Sequence, residues 1–168
     1  MKVLNFGSLN IDMVYSVDHV VRPGETTASA ELRYFCGGKG LNQSVALARA
    51  GMEVCHAGCV GADGGRLISL LRDNGVDTSL ITESESPSGH AIIQVDRDGQ
   101  NSILLFGGAN MEITPEQIEN AVGNFSAGGR LFLQNEINGI SEIISAAYEL
   151  ELEIVFNPSP FGVEILSY

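Results

Sequence analysis

Apolar and polar positions fall into two textures along this chain. Val3-Leu4-Asn5-Phe6-Gly7-Ser8-Leu9 is a short apolar run of the kind carried by a strand buried on both faces, and Glu53 to Val60 repeats it. Helical patterns separate such runs. Residues 40–50 form a small-residue helix stopped by Gly51, and residues 64–74 place Leu67, Leu70 and Leu71 on one face before Gly75 ends them. Thr114-Pro115-Glu116-Gln117 predicts a helix start with Thr114 as cap and Pro115 in the first turn, and residues 141–150 predict another helix. Arg130 to Gln134 and Glu153 to Phe156 read as strands, and Thr78 to Thr82 as a weaker one. The second texture alternates. Met13 to Val21 and Thr26 to Phe35 flank the turn Pro23-Gly24-Glu25, and His90 to Asp96 pairs with Ser102 to Phe106 through Arg97-Asp98-Gly99-Gln100.

Buried strands spaced by helices imply an α/β fold with a doubly wound, mostly parallel sheet; the alternating strands imply a small β-sheet projecting from it. With 168 residues, 44% apolar and 18% charged, the chain is long enough for one sizeable core and one domain. A net charge of -12 argues against nucleic acid as a partner, because that contact needs clustered Lys and Arg. Cys36, Cys55 and Cys59 are odd in number and lie in apolar surroundings, so they read as buried thiols in a reducing cytosol. Their spacing supplies no metal site. Met1-Lys2 runs straight into strand-like residues without a signal sequence, and no apolar run reaches membrane-spanning length. A cytoplasmic location is expected.

The chemistry centres on Gly37-Gly38-Lys39-Gly40-Leu41-Asn42-Gln43, which leads into the helix over 40–50. Glycines before a helix let the backbone approach a ligand, and the first amides of the helix lack intrahelical partners. Lys39 is one of two lysines in the chain, and Asn42 sits where its amide can turn back to the same spot. A flexible loop with a solvated lysine is the plainer reading of such a short motif. Two stricter motifs fail: Gly40 stands where a phosphate loop needs Ser or Thr after the lysine, and Gln43 where a dinucleotide fingerprint needs Gly or Ala. In an open parallel sheet, ligands lie beyond the carboxyl ends of the strands, and here those ends carry Asn10 and Asp12, Asp63, Asn135 and Glu136, and Asn157. Asp63 is best explained as a helix N-cap, and Asn157 before Pro158 serves equally well as a turn residue. Carboxylates and an Asn near free amides, without a basic cluster, suit a neutral polyhydroxylated ligand such as a sugar or nucleoside.

These residues resemble the ribokinase-type, or PfkB, carbohydrate kinases, closest to ribokinase. Gly7-Ser8-Leu9-Asn10-Ile11-Asp12 is similar to the family's opening strand, Pro23-Gly24-Glu25-Thr26 to its lid turn, and Gly37 to Gln43 to its signature. Asn101-Ser102-Ile103 through Gly108-Ala109-Asn110, then Gln134-Asn135-Glu136, then Asn157-Pro158-Ser159-Pro160 follow in the family's order. The resemblance implies a three-layer α/β domain whose projecting sheet is a lid, with lid strands at about 13–35 and 90–106. It implies phosphorylation of a primary hydroxyl of a pentose or related sugar by ATP, with Mg2+ and commonly a monovalent cation. Asn10 and Asp12 would hold sugar hydroxyls; the backbone at Gly38 and the side chains of Lys39 and Asn42 would fix the other edge. Glu136 would reach the sugar from across the cleft, the lid at His90 and Ile92 would cover it, and Asn157 is a further candidate. A homodimer through the lid sheets is the expected partner arrangement.

The match covers residues 1–168 as the N-terminal, sugar-binding portion. In the family a Gly-Ala-Gly-Asp turn carries the catalytic base and a C-terminal half binds ATP. No Gly-Ala-Gly-Asp occurs in this chain, so the resemblance implies that both are missing from it, no catalytic or metal-binding residue is expected in the chain, and by itself it is expected to bind no cofactor and to be inactive. A nucleoside or fructose kinase of the same fold, or a non-catalytic sugar-binding or dimerisation module, are the alternatives.

Overall fold

In chain order the elements are β1 (Lys2–Phe6), β2 (Asn10–Ser16), β3 (Glu31–Gly37), α1 (Lys39–Arg49), β4 (Glu53–Val60), α2 (Gly65–Asp73), β5 (Asp77–Glu83), β6 (Gly89–Val95), β7 (Asn101–Phe106), α3 (Pro115–Gly123), β8 (Arg130–Gln134), α4 (Ile140–Glu149) and β9 (Glu153–Asn157). Short 3-10 turns lie at Gly108–Met111 and Val163–Ser167. The computed structural model describes residues 2–167; Met1 and Tyr168, the ends of the expected 1–168 domain, lie outside the described residues.

Five strands form a parallel sheet in the order β5-β4-β1-β8-β9. Alternation along β1 sends Val3 to one face and Leu4 and Phe6 to the other, where two separate cores form. Leu41 of α1 and Leu67 and Leu71 of α2 pack with Val3. Ile118 and Val122 of α3 and Ile143 and Ala147 of α4 pack with Leu4, Phe6, Leu131 and Leu133. Helices on both faces of one sheet give the three-layer, doubly wound architecture. The start of α3 is secured by a capping box: the Thr114 hydroxyl accepts from the Gln117 amide, the Gln117 side chain accepts from the Thr114 amide, and Pro115 opens the helix.

The second sheet is mixed, in the order β3-β2-β6-β7, with antiparallel pairs at its ends and a parallel β2–β6 pair at its centre. Its first strand starts earlier than the alternation suggests. Asn10 and Asp12 belong to β2 itself rather than to a loop beyond β1, and the expected strands over 13–21 and 26–35 shorten to Asn10–Ser16 and Glu31–Gly37. The reason is pairing: Asn10 faces Gly37 on one side and Gly89 on the other, so the ladder is full at that position, while residues 17–30 find few partners. Two further differences are local. Cys36 is half-buried, whereas Cys55 and Cys59 are buried as expected. Asp63 does not cap α2, whose N-cap is Gly64; its carboxylate instead accepts the Ser88 amide at 2.9 Å and ties the two sheets' connections together.

Candidate functional site

The Gly-rich turn works as a close contact between α1 and the exit of β1. Gly38 has φ 94°, and a Cβ there would lie 2.8 Å from the Ser8 carbonyl oxygen. At Gly40 a Cβ would fall 2.4 Å from the Gly7 carbonyl carbon, so only glycine lets the first turn of α1 rest on the Gly7–Ser8 backbone. The Leu41 amide then donates to the Ser8 carbonyl at 2.9 Å. Beneath that turn lies a buried polar network. Asn5 donates to the Gly40 carbonyl at 2.8 Å and to the Ser44 hydroxyl at 2.7 Å; Gln134 donates to Asn5 Oδ1 at 2.8 Å and to the Gln43 side-chain oxygen. His56, fully buried, has Nδ1 2.7 Å from Ser44 Oγ and Nε2 3.2 Å from the Gly7 carbonyl. Burial pushes its pKa down to about 4, against a small upward pull from that carbonyl.

Glu136, just past β8, is the anchor of the site. Its Oε2 accepts from the Ser8 hydroxyl at 2.6 Å and from the Lys39 amide at 3.0 Å, and its Oε1 accepts from Lys39 Nζ at 2.8 Å. Burial works to raise its pKa, but the hydrogen bonds and charge of Lys39, together with the Ser8 hydroxyl, outweigh it, and the carboxyl is held below its usual range. Asp12 is the opposite case. It is half-buried, its carboxylate takes no hydrogen bond from the described residues, and its pKa is raised by desolvation and by the nearby Glu136 charge. Two carboxylates in one cleft thus differ: one is satisfied by the protein and one is left with its acceptors free.

A cavity of about 220 Å³ is lined by Asn10, Asp12, Gly38, Lys39, Asn42 and Glu136, with Ala91, Ile93, Ile103 and Leu105 as an apolar wall from the second sheet. All six sequence-derived binding candidates therefore meet around one space. His90 and Ile92 do not. Alternation along β6 turns Ala91 and Ile93 to the cavity and sends the other pair to the far face, where His90 packs on Phe106 with ring centroids 5.0 Å apart and Ile92 lines a separate pocket with Tyr15 and Gln94. Asn157 is not brought to the cavity either; its Oδ1 accepts the Ser159 amide at 3.2 Å, an ordinary turn bond. Asn135 bonds the Pro160 carbonyl at 2.7 Å instead of facing the site. Sequence reasoning missed the part of Ser8, which joins Glu136 to the Gly40 amide at 3.3 Å, although it stands inside the quoted opening motif. It also missed Ile103 and Leu105, whose alternation within the hairpin was the available signal.

A three-layer sheet domain with a second sheet over a polar cleft defines the class. Residues 1–147 match the pfkB family of carbohydrate kinases, and the chain belongs to that family. It is 34% identical over 166 residues to a ribokinase of Haemophilus influenzae, an alignment spanning 96% of this chain and 54% of that protein. Among solved structures, ribokinase from Cryptococcus neoformans in complex with ADP superposes with a TM-score of 0.84 at 37% identity, covering 98% of this chain and 51% of the other. Arabidopsis thaliana ribokinase, complexed with ribose and ATP, gives a TM-score of 0.74 at 28% identity over 92% of this chain and 52% of the other. The chain spans about half the length of the curated relatives it matches.

Proposed function

We propose that these residues form the sugar-binding portion of an ATP-dependent kinase that phosphorylates a primary hydroxyl of a pentose or related sugar. The observation that carries the reading is the single cavity that gathers Asn10, Asp12, Gly38, Lys39, Asn42 and Glu136. Asp12 offers free acceptors, Lys39 and Asn42 offer donors, and Ala91, Ile93, Ile103 and Leu105 set an apolar wall on the opposite side. Ribose is the sugar of choice because a relative sharing this architecture is complexed with it.

In this reading the second sheet is a lid, and its apolar outer face joins two copies. Leu32, Tyr34, Leu104 and Phe106 share that face by strand alternation and are all exposed. ATP, Mg2+ and a monovalent cation serve the complete kinase in the cytoplasm. Among the described residues, no group of three His, Cys, Asp or Glu gathers at one point. Positioning the sugar hydroxyl is this portion's task, while charge stabilisation at the phosphate falls to residues outside it.

Calorimetric titration of the chain with ribose, fructose and nucleosides tests the site, with ribose expected to bind best; no heat from any of them would refute it. Incubated with ATP, Mg2+ and ribose, the chain alone is expected to yield no sugar phosphate, and measurable turnover would overturn the division of labour.

A further inference from the structure

Asn110 lies outside the cavity and is buried, 1% exposed, yet every hydrogen-bonding atom of its side chain is engaged at the entry of β2. Its Oδ1 accepts the Leu9 amide at 2.9 Å. Its Nδ2 donates to Asn10 Oδ1 at 2.7 Å and to the Leu9 carbonyl at 3.3 Å. The backbone makes this arrangement unambiguous. A peptide N–H can only donate and a peptide carbonyl can only accept, so Leu9 dictates which end of the Asn110 amide is oxygen and which is nitrogen. Asn10 must then present its oxygen to Asn110, because the reverse would set two NH2 groups against each other. The Asn10 NH2 group is left toward the cavity, without an acceptor among the described residues.

We infer that Asn110 is a positioning residue that fixes the polarity of Asn10, so that Asn10 contributes only donors to the ligand. This inference rests on the sugar reading of the cavity and deepens it. Asp12 can only accept when ionised, Asn10 can only donate, and a ligand must therefore bring a hydroxyl proton to Asp12 and an oxygen lone pair to Asn10. A sugar hydroxyl or ring oxygen supplies the second; a ligand with a bare carbon at that point loses the contact. Gly89 is part of the device, because a Cβ there would lie 2.0 Å from Asn110 Nδ2 and 2.4 Å from Asn10 Oδ1, inside the bond itself.

The test is side-chain amide NMR on the full 15N-labelled chain, first without ligand. The NH2 signals of Asn110 are expected to exchange slowly with water and those of Asn10 faster; the reverse order overturns the inference whatever the ligand proves to be. D-ribose is then added. A shift of the Asn10 NH2 signals upholds the donor role, and binding that moves other cavity signals while leaving these unmoved overturns it. In Asn110→Asp the Leu9 amide keeps its acceptor but Asn10 must turn its NH2 inward, so ribose affinity is expected to fall at least tenfold and Asn10 exchange to slow. Unchanged affinity in a folded variant also overturns the inference. If ribose moves no cavity signal at all, the sugar reading falls, and the exchange order alone then upholds or overturns the placement of Asn110.

Discussion

Lys39 Nζ sits 2.8 Å from Glu136 Oε1, a contact between the first residue of α1 and the turn after β8 across 97 positions of sequence. It joins the two ends of the cleft before any ligand arrives. Glu136 also accepts the amide of the same lysine, so the pair is held by backbone as well as side chain. Replacing one partner leaves the other in a half-buried place without its counter-charge.

Glu136→Gln and Lys39→Met are each expected to weaken ribose binding by about tenfold or more, the scale of one charge-assisted hydrogen bond. Because the two residues act as a unit, the double variant should lose less than the product of the single losses. Titration calorimetry on the four proteins measures this directly; strict additivity would show that the two act separately.

Asp12 must be ionised to accept from two hydroxyls, and its pKa is raised by desolvation and by Glu136. Ribose affinity should therefore decline on the acid side at a pH above the ordinary Asp value of 3.8. Asp12→Asn keeps the shape, removes that acid limb and lowers affinity by roughly 1.5–3 kcal/mol. A pH series of binding constants for both proteins checks it, and an identical acid limb in the variant would assign the titration elsewhere.

His56 makes a statement about stability. Its folded pKa is about 4, below the 6.5 of the free side chain, so between those values the unfolded chain binds a proton that the folded chain does not. Stability from this group is complete above pH 6.5 and is lost as pH falls toward 4, by roughly 3 kcal/mol over the window. His19 works in the opposite direction, since its bond to Glu25 raises its pKa, and comparison with a His56→Asn variant separates the two. Urea unfolding at several pH values should show a flatter profile in the variant. Equal slopes would mean that His56 takes up its proton at the same pH in the folded and unfolded chains.

Strand β9 is one edge of the parallel sheet, and Val155 on it is 38% exposed; Phe161 and Val163, later in the chain, are exposed as well. An exposed apolar sheet edge pairs readily with another chain. Light scattering at high concentration is expected to show association, and Val155→Lys to reduce it. Tyr34→Lys, on the outer face of the second sheet, probes the other apolar surface. A monodisperse monomer for the native chain would contradict both routes.

Much of this architecture was legible in the residues. Two-sided burial of β1 and β4 shows as mainly apolar runs, the caps and stops of the helices show as Thr114, Pro115, Gly51 and Gly75, and the β6–β7 hairpin shows in Asp98-Gly99. The Gly-rich turn also announced a backbone contact, since Gly38 and Gly40 tolerate no Cβ. His90 and Ile92 illustrate the limit. Period 2 told which residues of β6 share a face, but nothing in the strand says which face meets the cleft. That choice came from the register with β2, which sets Ala91 beside Asp12. Asp63 is similar: a carboxylate before a helix fits an N-cap, and only the fold brought the Ser88 amide within 2.9 Å of it.

Taken alone, the sequence determined the alternation of strands and helices, the positions of the turns, and the residue types able to hold hydroxyl groups, because these depend on local sterics and on patterns a few residues long. The tertiary structure alone decided which polar groups are spent and which remain free. Glu136 is satisfied by Ser8 and Lys39, Asn110 is consumed in orienting Asn10, and Asp12 is left open. Hydrogen-bond partners separated by a hundred residues are set by the packing of sheets, and no local pattern encodes them.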